Sequence, residues 1–281
     1  MTTLHLQSAD NQVRGRLALV TGATGGIGSA CARALAAEGC DVALHYSSSE
    51  DKAEALAREL RERHPSQTFM TAQADLSSRE ATRQLVGSVL ASEAAARAGH
   101  AAVSILVANA GIGRRIRDVR DIGEDDWDAM LEVNCRSQFV VTKACVEGMR
   151  AQGWGRVVLV GSIASRGGGI NGCHYAASKG AMTSMGLNLA TVLAPEGVTV
   201  NIVQPAMIGA TGMIPEPKSR YVPPPDCLGT TDQPVFPSSR TWKSNHDLEE
   251  LRTTDPGLAI AASIPVHRLG YPEEVASVVT M

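Results

Sequence analysis

The chain has 281 residues and is 44% hydrophobic, which is enough for one well-buried α/β domain. Its formal net charge is -3 and no Lys/Arg-rich run occurs, so we expect neither nucleic acid nor an acidic membrane surface as a partner. No apolar stretch reaches about 18 residues and the first residues lack the order of a secretory signal, which predicts a soluble, cytoplasmic protein.

Strand and helix patterns alternate along most of the chain. Strands are predicted at residues 16–20, 40–46, 68–74, 103–108, 156–162 and 199–203. Helices are predicted at residues 27–37, 50–63, 79–98, 124–151 and 175–193, with a further short helix near Pro272. This order predicts a single Rossmann-type α/β domain over residues 14–281, with a doubly wound parallel sheet and helices on both faces. Residues 1–13 are expected to form a flexible N-terminus.

One segment interrupts this alternation. Seven of the thirteen prolines lie between Pro215 and Pro237, and residues 216–254 show only weak periodicity. We interpret this segment as an inserted Pro/Ser-rich loop. It is either an enlarged lid over a site or the translation of an unspliced intron.

The six cysteines have neither CxxC nor Cys/His ligand spacing. We therefore expect no metal, and we expect every cysteine to be reduced and buried as a small apolar residue. These cysteines are Cys31, Cys40, Cys135, Cys145, Cys173 and Cys227.

A glycine-rich turn, TGATGGIG, follows the first predicted strand at residues 21–28. Glycine permits positive φ, and it lets a pyrophosphate approach the N–H groups at the start of a helix without interference from a Cβ. Such turns also occur without any ligand. The position of this one in a βαβ unit favours a dinucleotide site.

The end of the second predicted strand bears on the choice of dinucleotide. NAD enzymes usually place a carboxylate there, against the ribose 2′-hydroxyl, but Tyr46, Ser47 and Ser48 occupy these positions and the first acid is Glu50. Hydroxyls can donate to a 2′-phosphate and no carboxylate repels it, which favours NADP(H). NAD(H) stays as the alternative, because no Arg or Lys lies in the turn or directly after the strand.

Tyr175 and Lys179 are four residues apart in a predicted helix, so their side chains project from the same face. A phenol with a pKa of about 10 is a poor acid or base at neutral pH, and a neighbouring ammonium is expected to lower the pKa of Tyr175. The alternative is an ordinary pair on a helix surface.

Two further side chains accompany this pair. Ser162 lies at the carboxyl edge of the predicted sheet, where its hydroxyl can stabilise a developing alkoxide, although serines there also serve as turns or caps. Asn134 lies inside a predicted helix, where Asn is a poor choice. It is expected to hold a water or the Lys179 amine, and the alternative is a solvated helix face.

Together these motifs resemble the short-chain dehydrogenase/reductase family, in its 3-oxoacyl-[acyl-carrier-protein] reductase-like branch, over residues 14–214 and 255–281. The family's TGxxxGxG corresponds to residues 21–28, and its NNAG to residues 108–111. The resemblance implies four catalytic residues, Asn134, Ser162, Tyr175 and Lys179. It further implies a cofactor site formed by Thr21, Gly22, Gly26, Ile27, Gly28, Tyr46, Ser47, Ser48, Asp75, Leu76, Asn109, Ala110, Gly111, Tyr175, Lys179, Pro205 and Ile208.

The resemblance also implies a role for each catalytic residue. Tyr175 would exchange a proton with the carbonyl oxygen, and Lys179 would bind the nicotinamide ribose and lower the pKa of Tyr175. Ser162 would orient the carbonyl, Asn134 would support a proton-relay water, and Asp75 would lie beside the adenine ring. A homo-oligomer is expected, as is usual in the family.

The chain departs from the family pattern in two further places. Ala206 replaces the glycine that the family has after its Pro, here Pro205. The chain is also expected to lack the family's last strand, because the sequence stops at Met281. Such a loss would leave an exposed sheet edge and weaken oligomerisation.

The leading hypothesis is an NADP(H)-dependent enzyme that interconverts a ketone and a secondary alcohol, with a 3-oxoacyl thioester or a small polyketide-like ketone as substrate. One alternative is an NAD-linked dehydrogenase of a sugar, polyol or steroid alcohol. The other is a dinucleotide-binding protein that has lost turnover.

Overall fold

The computed structural model describes residues 10–116, 118–167, 171–214, 256–264 and 268–280. The predicted insertion at 216–254 and residues 1–9 of the predicted flexible N-terminus lie outside these ranges. From Asp10 onwards the chain contacts the domain, because the Asp10 carbonyl accepts hydrogen bonds from Trp154 Nε1 at 2.8 Å and from the Arg156 guanidinium at 2.6 Å.

Among the described residues, six parallel strands form one sheet, as predicted. They are β1 (Leu17–Val20), β2 (Asp41–Tyr46), β3 (Phe69–Gln73), β4 (Ile105–Ala108), β5 (Gly155–Val160) and β6 (Val198–Val203). Their order in the sheet is β3-β2-β1-β4-β5-β6. The order reverses direction beside β1, so a crevice opens between the carboxyl ends of β1 and β4, where doubly wound sheets bind ligands.

The central strands are apolar on both faces, which is typical of a parallel sheet covered by helices. Every residue of β1 and β4 is buried, and Leu19 pairs with Ala43 on one side and with Leu106 on the other. Two clusters of buried apolar residues cover the two faces. One includes Leu106, and the other includes Val20.

The helices agree with the predicted pattern at most positions. They are α1 (Gly26–Ala37), α2 (Glu50–Arg63), α3 (Arg79–Leu90), α4 (Glu93–Arg97), α5 (Glu124–Leu131), α6 (Ser137–Ala151), α7 (Cys173–Leu193), α8 (Pro256–Ser263) and α9 (Pro272–Val279). A π-helical segment, Glu132–Arg136, joins α5 to α6. No helix among the described residues is long and apolar enough to cross a membrane.

Two predictions need correction. The helix predicted at 79–98 is two helices, α3 and α4. The second begins after Ser92, which is its N-cap, because the Ser92 side chain accepts a hydrogen bond from the Ala95 N–H. Not every cysteine is buried: Cys173 is exposed because it is the first residue of α7, and Cys135 is only partly buried. Cys227 lies outside the described residues.

Candidate active site

A cavity of about 720 Å³ occupies the crevice at the carboxyl edge of the sheet. Its wall is formed by the glycine-rich turn, by the ends of β2 to β5 and by the segment after β6. The sequence-predicted residues on this wall are Gly22, Gly26, Ile27, Gly28, Ser47, Ser48, Asp75, Leu76, Asn109, Ala110, Gly111, Ser162, Tyr175, Lys179, Pro205 and Ile208. Motifs that are far apart in the sequence therefore meet in one cavity.

The glycine-rich turn leaves its backbone open towards this cavity. Gly22 has a φ of +65°, which disfavours any other residue, and a Cβ at Gly28 would overlap the Gly22 carbonyl oxygen. The turn leads directly into the N-terminus of α1, where N–H groups without helical partners favour an anion. A dinucleotide pyrophosphate fits this arrangement of backbone and helix.

Thr21 does not line the cavity, contrary to its predicted place in the cofactor site. It is fully buried beneath the turn, and its Oγ1 accepts hydrogen bonds from the N–H groups of Asn109 at 2.9 Å and Ala110 at 3.0 Å. The Asn109 side chain in turn donates to the Thr21 carbonyl at 2.9 Å. Thr21 therefore joins the end of β1 to the end of β4, and it supports the cavity wall without lining the cavity itself.

Of the three residues expected near a 2′-phosphate, two line the cavity and one does not. Ser47 and Ser48 are exposed on the cavity wall, followed by Ser49. Tyr46 does not line the cavity, because it is the buried last residue of β2. Burial raises the pKa of its phenol, and the carboxylates of Glu50 and Glu54 raise it further.

Ser162, Tyr175 and Lys179 come together at the other end of the cavity. Ser162 follows β5, whereas Tyr175 and Lys179 lie in the first two turns of α7. Lys179 Nζ lies 6.0 Å from the centre of the Tyr175 ring, and the Ser162 hydroxyl is near enough to the phenol to influence its pKa. Both side chains of the predicted Tyr/Lys pair are buried, so they are not an ordinary helix-surface pair.

The expected lowering of the Tyr175 pKa is not what the structure shows. Burial raises the pKa of this phenol, and the nearby Ser162 hydroxyl only opposes that rise. Lys179 does not counteract the burial, since its Nζ donates to the Val160 carbonyl at 2.9 Å and not to the phenol. Tyr175 is therefore protonated at neutral pH in this structure.

Asn134 lies in the π-helical segment and is fully buried, so the alternative of a solvated helix face is wrong. Its Oδ1 accepts from the Ile112 N–H at 2.7 Å, and its Nδ2 donates to the Ile112 carbonyl at 2.9 Å and to Ser178 Oγ at 3.1 Å. These contacts join the loop after β4 to α7, and none of them is to Lys179. π-Helical segments often occur at functional sites.

The sequence did not indicate several residues of the cavity. Ile112 and Gly113 after β4, with Met213 and Ile214 after β6, contribute uncharged residues to the cavity that Tyr175 also lines. Met213 and Ile214 belong to no motif, and Ile112 and Gly113 lie just beyond the motif that ends at Gly111, so no sequence pattern marked them. His45 was also missed, although a polar residue directly after the apolar run at residues 42–44 could have marked it.

Lys179→Met is expected to raise the free energy of unfolding by about 1–3 kcal/mol at pH 7. Burial lowers the pKa of Lys179 to about 8, from 10.5, so the folded state carries a buried ammonium below pH 8 at a cost in stability. That cost disappears as the pH rises from about 8 to 10.5. Urea unfolding at pH 7 and pH 10 measures the difference, and a gain that is equal at both pH values contradicts the prediction.

Comparison with known proteins assigns the chain to a family. The family model described as short chain dehydrogenase matches residues 16–220. A nodulation protein G of Rhizobium meliloti is 33% identical over 95% of this chain and 89% of its own length. An acetoacetyl-CoA reductase of Cupriavidus necator is 29% identical over 94% and 88%, and a 3-oxoacyl-[acyl-carrier-protein] reductase of Synechocystis is 32% identical over 76% and 87%.

Solved structures agree with this assignment. An NAD⁺-bound xylitol dehydrogenase superposes with a TM-score of 0.73 at 28% identity, covering 95% of this chain and 92% of that one. A short chain dehydrogenase of Burkholderia cenocepacia in complex with NADP has a TM-score of 0.68 at 31% identity, covering 95% and 90%. The chain therefore belongs to the short-chain dehydrogenase/reductase family, in the branch that resembles the 3-oxoacyl-[acyl-carrier-protein] reductases.

Proposed function

We propose that this protein is an NADP(H)-dependent oxidoreductase that interconverts a ketone and a secondary alcohol. The observation that carries the proposal is the shared cavity: Ser162, Tyr175 and Lys179 line the same cavity as the glycine-rich turn. A protein that only binds a dinucleotide has no need of a buried phenol at this position. The arrangement therefore supports catalysis.

The catalytic residues act on the carbonyl oxygen of the substrate. NADP(H), when bound, supplies or accepts the hydride. Tyr175, which is protonated at neutral pH, donates its proton to the carbonyl oxygen during reduction. Ser162 stabilises the developing alkoxide by hydrogen bonding, and the Lys179 ammonium supplies positive charge on the same wall.

The cofactor site extends from Tyr175 and Lys179 to the exposed Ser47 and Ser48. The glycine-rich turn would hold the pyrophosphate and Asp75 would lie beside the adenine. NADP(H) is proposed over NAD(H) because hydroxyls, and no carboxylate, occupy residues 47–49. The similar structures include both an NAD⁺ and an NADP complex, so the serines alone support this preference.

A 3-oxoacyl thioester or a small polyketide-like ketone is the proposed substrate. Ile112, Met213 and Ile214 line the same cavity as Tyr175 and Ser162, and their uncharged side chains suit an apolar acyl chain better than a polyol. The names of the acetoacetyl-CoA and 3-oxoacyl-[acyl-carrier-protein] reductases point in the same direction. A homo-oligomer is also proposed, supported by the exposed Phe139 on α6 and Leu187 on α7.

Oxidation of NADPH at 340 nm in the presence of acetoacetyl thioester tests the proposed function. The purified native chain is expected to turn over this substrate, and to oxidise NADPH more efficiently than NADH. A panel of small ketones and, in the reverse direction, of polyols serves as the comparison. Dinucleotide binding without turnover of any compound in the panel contradicts the proposal and favours a binding protein.

Ser47→Asp is expected to shift the ratio of kcat/KM for NADPH over NADH towards NADH by about tenfold or more. The new carboxylate would repel a 2′-phosphate and accept hydrogen bonds from the ribose hydroxyls of NADH. Ser47→Asn is the matched control, because its side chain has nearly the same size as that of aspartate without the charge. Equal ratios in the native chain and in Ser47→Asp contradict the assignment of this end of the cavity to the 2′-phosphate.

A further inference from the structure

His45 is a polar residue near the carboxyl end of β2 (Asp41–Tyr46), directly after three apolar residues. It is only 1% exposed. It lies beneath the glycine-rich turn and contributes to the wall of the cofactor cavity. Buried histidines are uncommon unless both ring nitrogens have partners. The partners of His45 therefore indicate what the residue does.

Both ring nitrogens are hydrogen-bonded to backbone groups of different elements. Nε2 lies 3.0 Å from the Ala74 carbonyl oxygen, and Nδ1 lies 2.9 Å from the Gly22 nitrogen. A carbonyl oxygen can only accept, so Nε2 carries the hydrogen and Nδ1 offers its lone pair to the Gly22 N–H. The ring is neutral in this arrangement, and its tautomer is determined by the two contacts.

These contacts join the glycine-rich turn to the end of β3. The His45 carbonyl also accepts from the Ala23 N–H at 2.8 Å, so two successive amides of the turn are bound to one residue. On the opposite side of the turn, Asn109 Nδ2 donates to the Gly22 carbonyl at 3.2 Å. The Gly22 residue, with its positive φ, is thus held from both sides.

We propose that His45 is a positioning residue for the dinucleotide site. Its neutral imidazole holds the Gly22 amide and the Ala74 carbonyl, and so sets the spacing between the glycine-rich turn and Asp75, which directly follows Ala74. No contact between His45 and the ligand is needed for this role. The inference rests on the proposed function, because the position matters for activity only when a dinucleotide binds.

Burial supports the assignment of a neutral ring. It lowers the pKa of His45 to about 4, so the Nδ1 lone pair is present at pH 7. A protonated ring would direct an N–H at the Gly22 N–H, and two donors would then face each other.

Two substitutions separate the two contacts. In His45→Asn the side-chain oxygen of the introduced amide lies close to the position of Nδ1 in the native ring, so it can accept a hydrogen bond from the Gly22 N–H. In His45→Gln the terminal amide reaches the place of Nε2 and can donate to Ala74, but the acceptor for Gly22 is lost. The pair is matched, because both variants are uncharged and each keeps one of the two contacts.

The first readout is the Kd for NADPH, measured by fluorescence titration at pH 7. His45→Gln is expected to raise Kd about tenfold or more because a buried amide loses its acceptor, whereas His45→Asn is expected to stay within about threefold of the native value. At saturating NADPH, kcat of His45→Gln is expected to fall by less than about threefold. Equal Kd values for the native chain and both variants overturn the inference, as do equal losses in both.

The second readout is hydrogen exchange of the Gly22 amide by NMR, which needs no cofactor. Exchange is expected to be about tenfold or more faster in His45→Gln than in the native chain, and nearly unchanged in His45→Asn. Thermal unfolding checks that both variants are folded. If the native chain binds no dinucleotide, the proposed function fails, and the Gly22 exchange rates alone then decide whether His45 holds the turn. Unchanged exchange in His45→Gln overturns that role.

Discussion

Tyr175→Phe is expected to lower kcat for carbonyl reduction by about 10²- to 10⁴-fold and to leave the Kd for NADPH within about threefold. The substitution removes the hydroxyl, which is the proposed proton donor, and retains the ring that packs in the cavity wall. Ser162 keeps its own hydroxyl, but an aliphatic hydroxyl is a much weaker acid than a phenol and does not replace the proton donor. The experiment combines NADPH oxidation at 340 nm with a fluorescence titration of NADPH.

Tyr271→Phe is the control for this prediction. Tyr271 is 55% exposed at the start of α9 and does not line the cavity, so removal of the same hydroxyl there is expected to leave kcat unchanged. Loss of activity only in the Tyr175 variant assigns the effect to the site. Retention of more than about one tenth of the native kcat by Tyr175→Phe would falsify the assignment of Tyr175 as proton donor.

Much of the fold could be predicted because the apolar strands are short, continuous and separated by helical patterns. The residues of β1 form a continuous apolar run, which is typical of a parallel strand covered by helices on both faces. The structure confirms this, because every residue of β1 is buried. The doubly wound order then brings the ends of β1 and β4 together. That is why motifs about 150 residues apart, the glycine-rich turn and Tyr175, could be assigned to one site from sequence.

Side-chain partners were harder to predict, since they depend on tertiary packing. Thr21 belongs to the glycine motif but points down towards β4, and Asn134 contacts Ile112 rather than Lys179. The direction of the Tyr175 pKa shift was also wrong. Spacing shows that an ammonium lies on the same helix face, but it does not show that Lys179 Nζ binds the Val160 carbonyl and that burial raises the pKa of the phenol.

Gly28→Ala is expected to lower the free energy of unfolding by about 1–3 kcal/mol and to raise the Kd for NADPH by about 100-fold or more. The added Cβ would overlap the Gly22 carbonyl oxygen and lie 2.8 Å from Asn109 Nδ2. Neither neighbour can move freely, because Asn109 is hydrogen-bonded to the Thr21 carbonyl and the Gly22 N–H is bonded to His45. The turn must therefore shift, and the phosphate-binding backbone shifts with it.

Gly87→Ala provides the matched control for the added methyl group. Gly87 lies inside α3, and a Cβ there would have no neighbour within 4 Å among the described residues. This variant is expected to be more stable by about 0.5–1 kcal/mol, since Ala is the better helix former, and to bind NADPH like the native chain. Urea unfolding and NADPH titration of both variants measure these opposite effects. Native-like NADPH affinity in Gly28→Ala would show that the glycine-rich turn does not form the pyrophosphate site, and the proposed cofactor would then have to bind elsewhere.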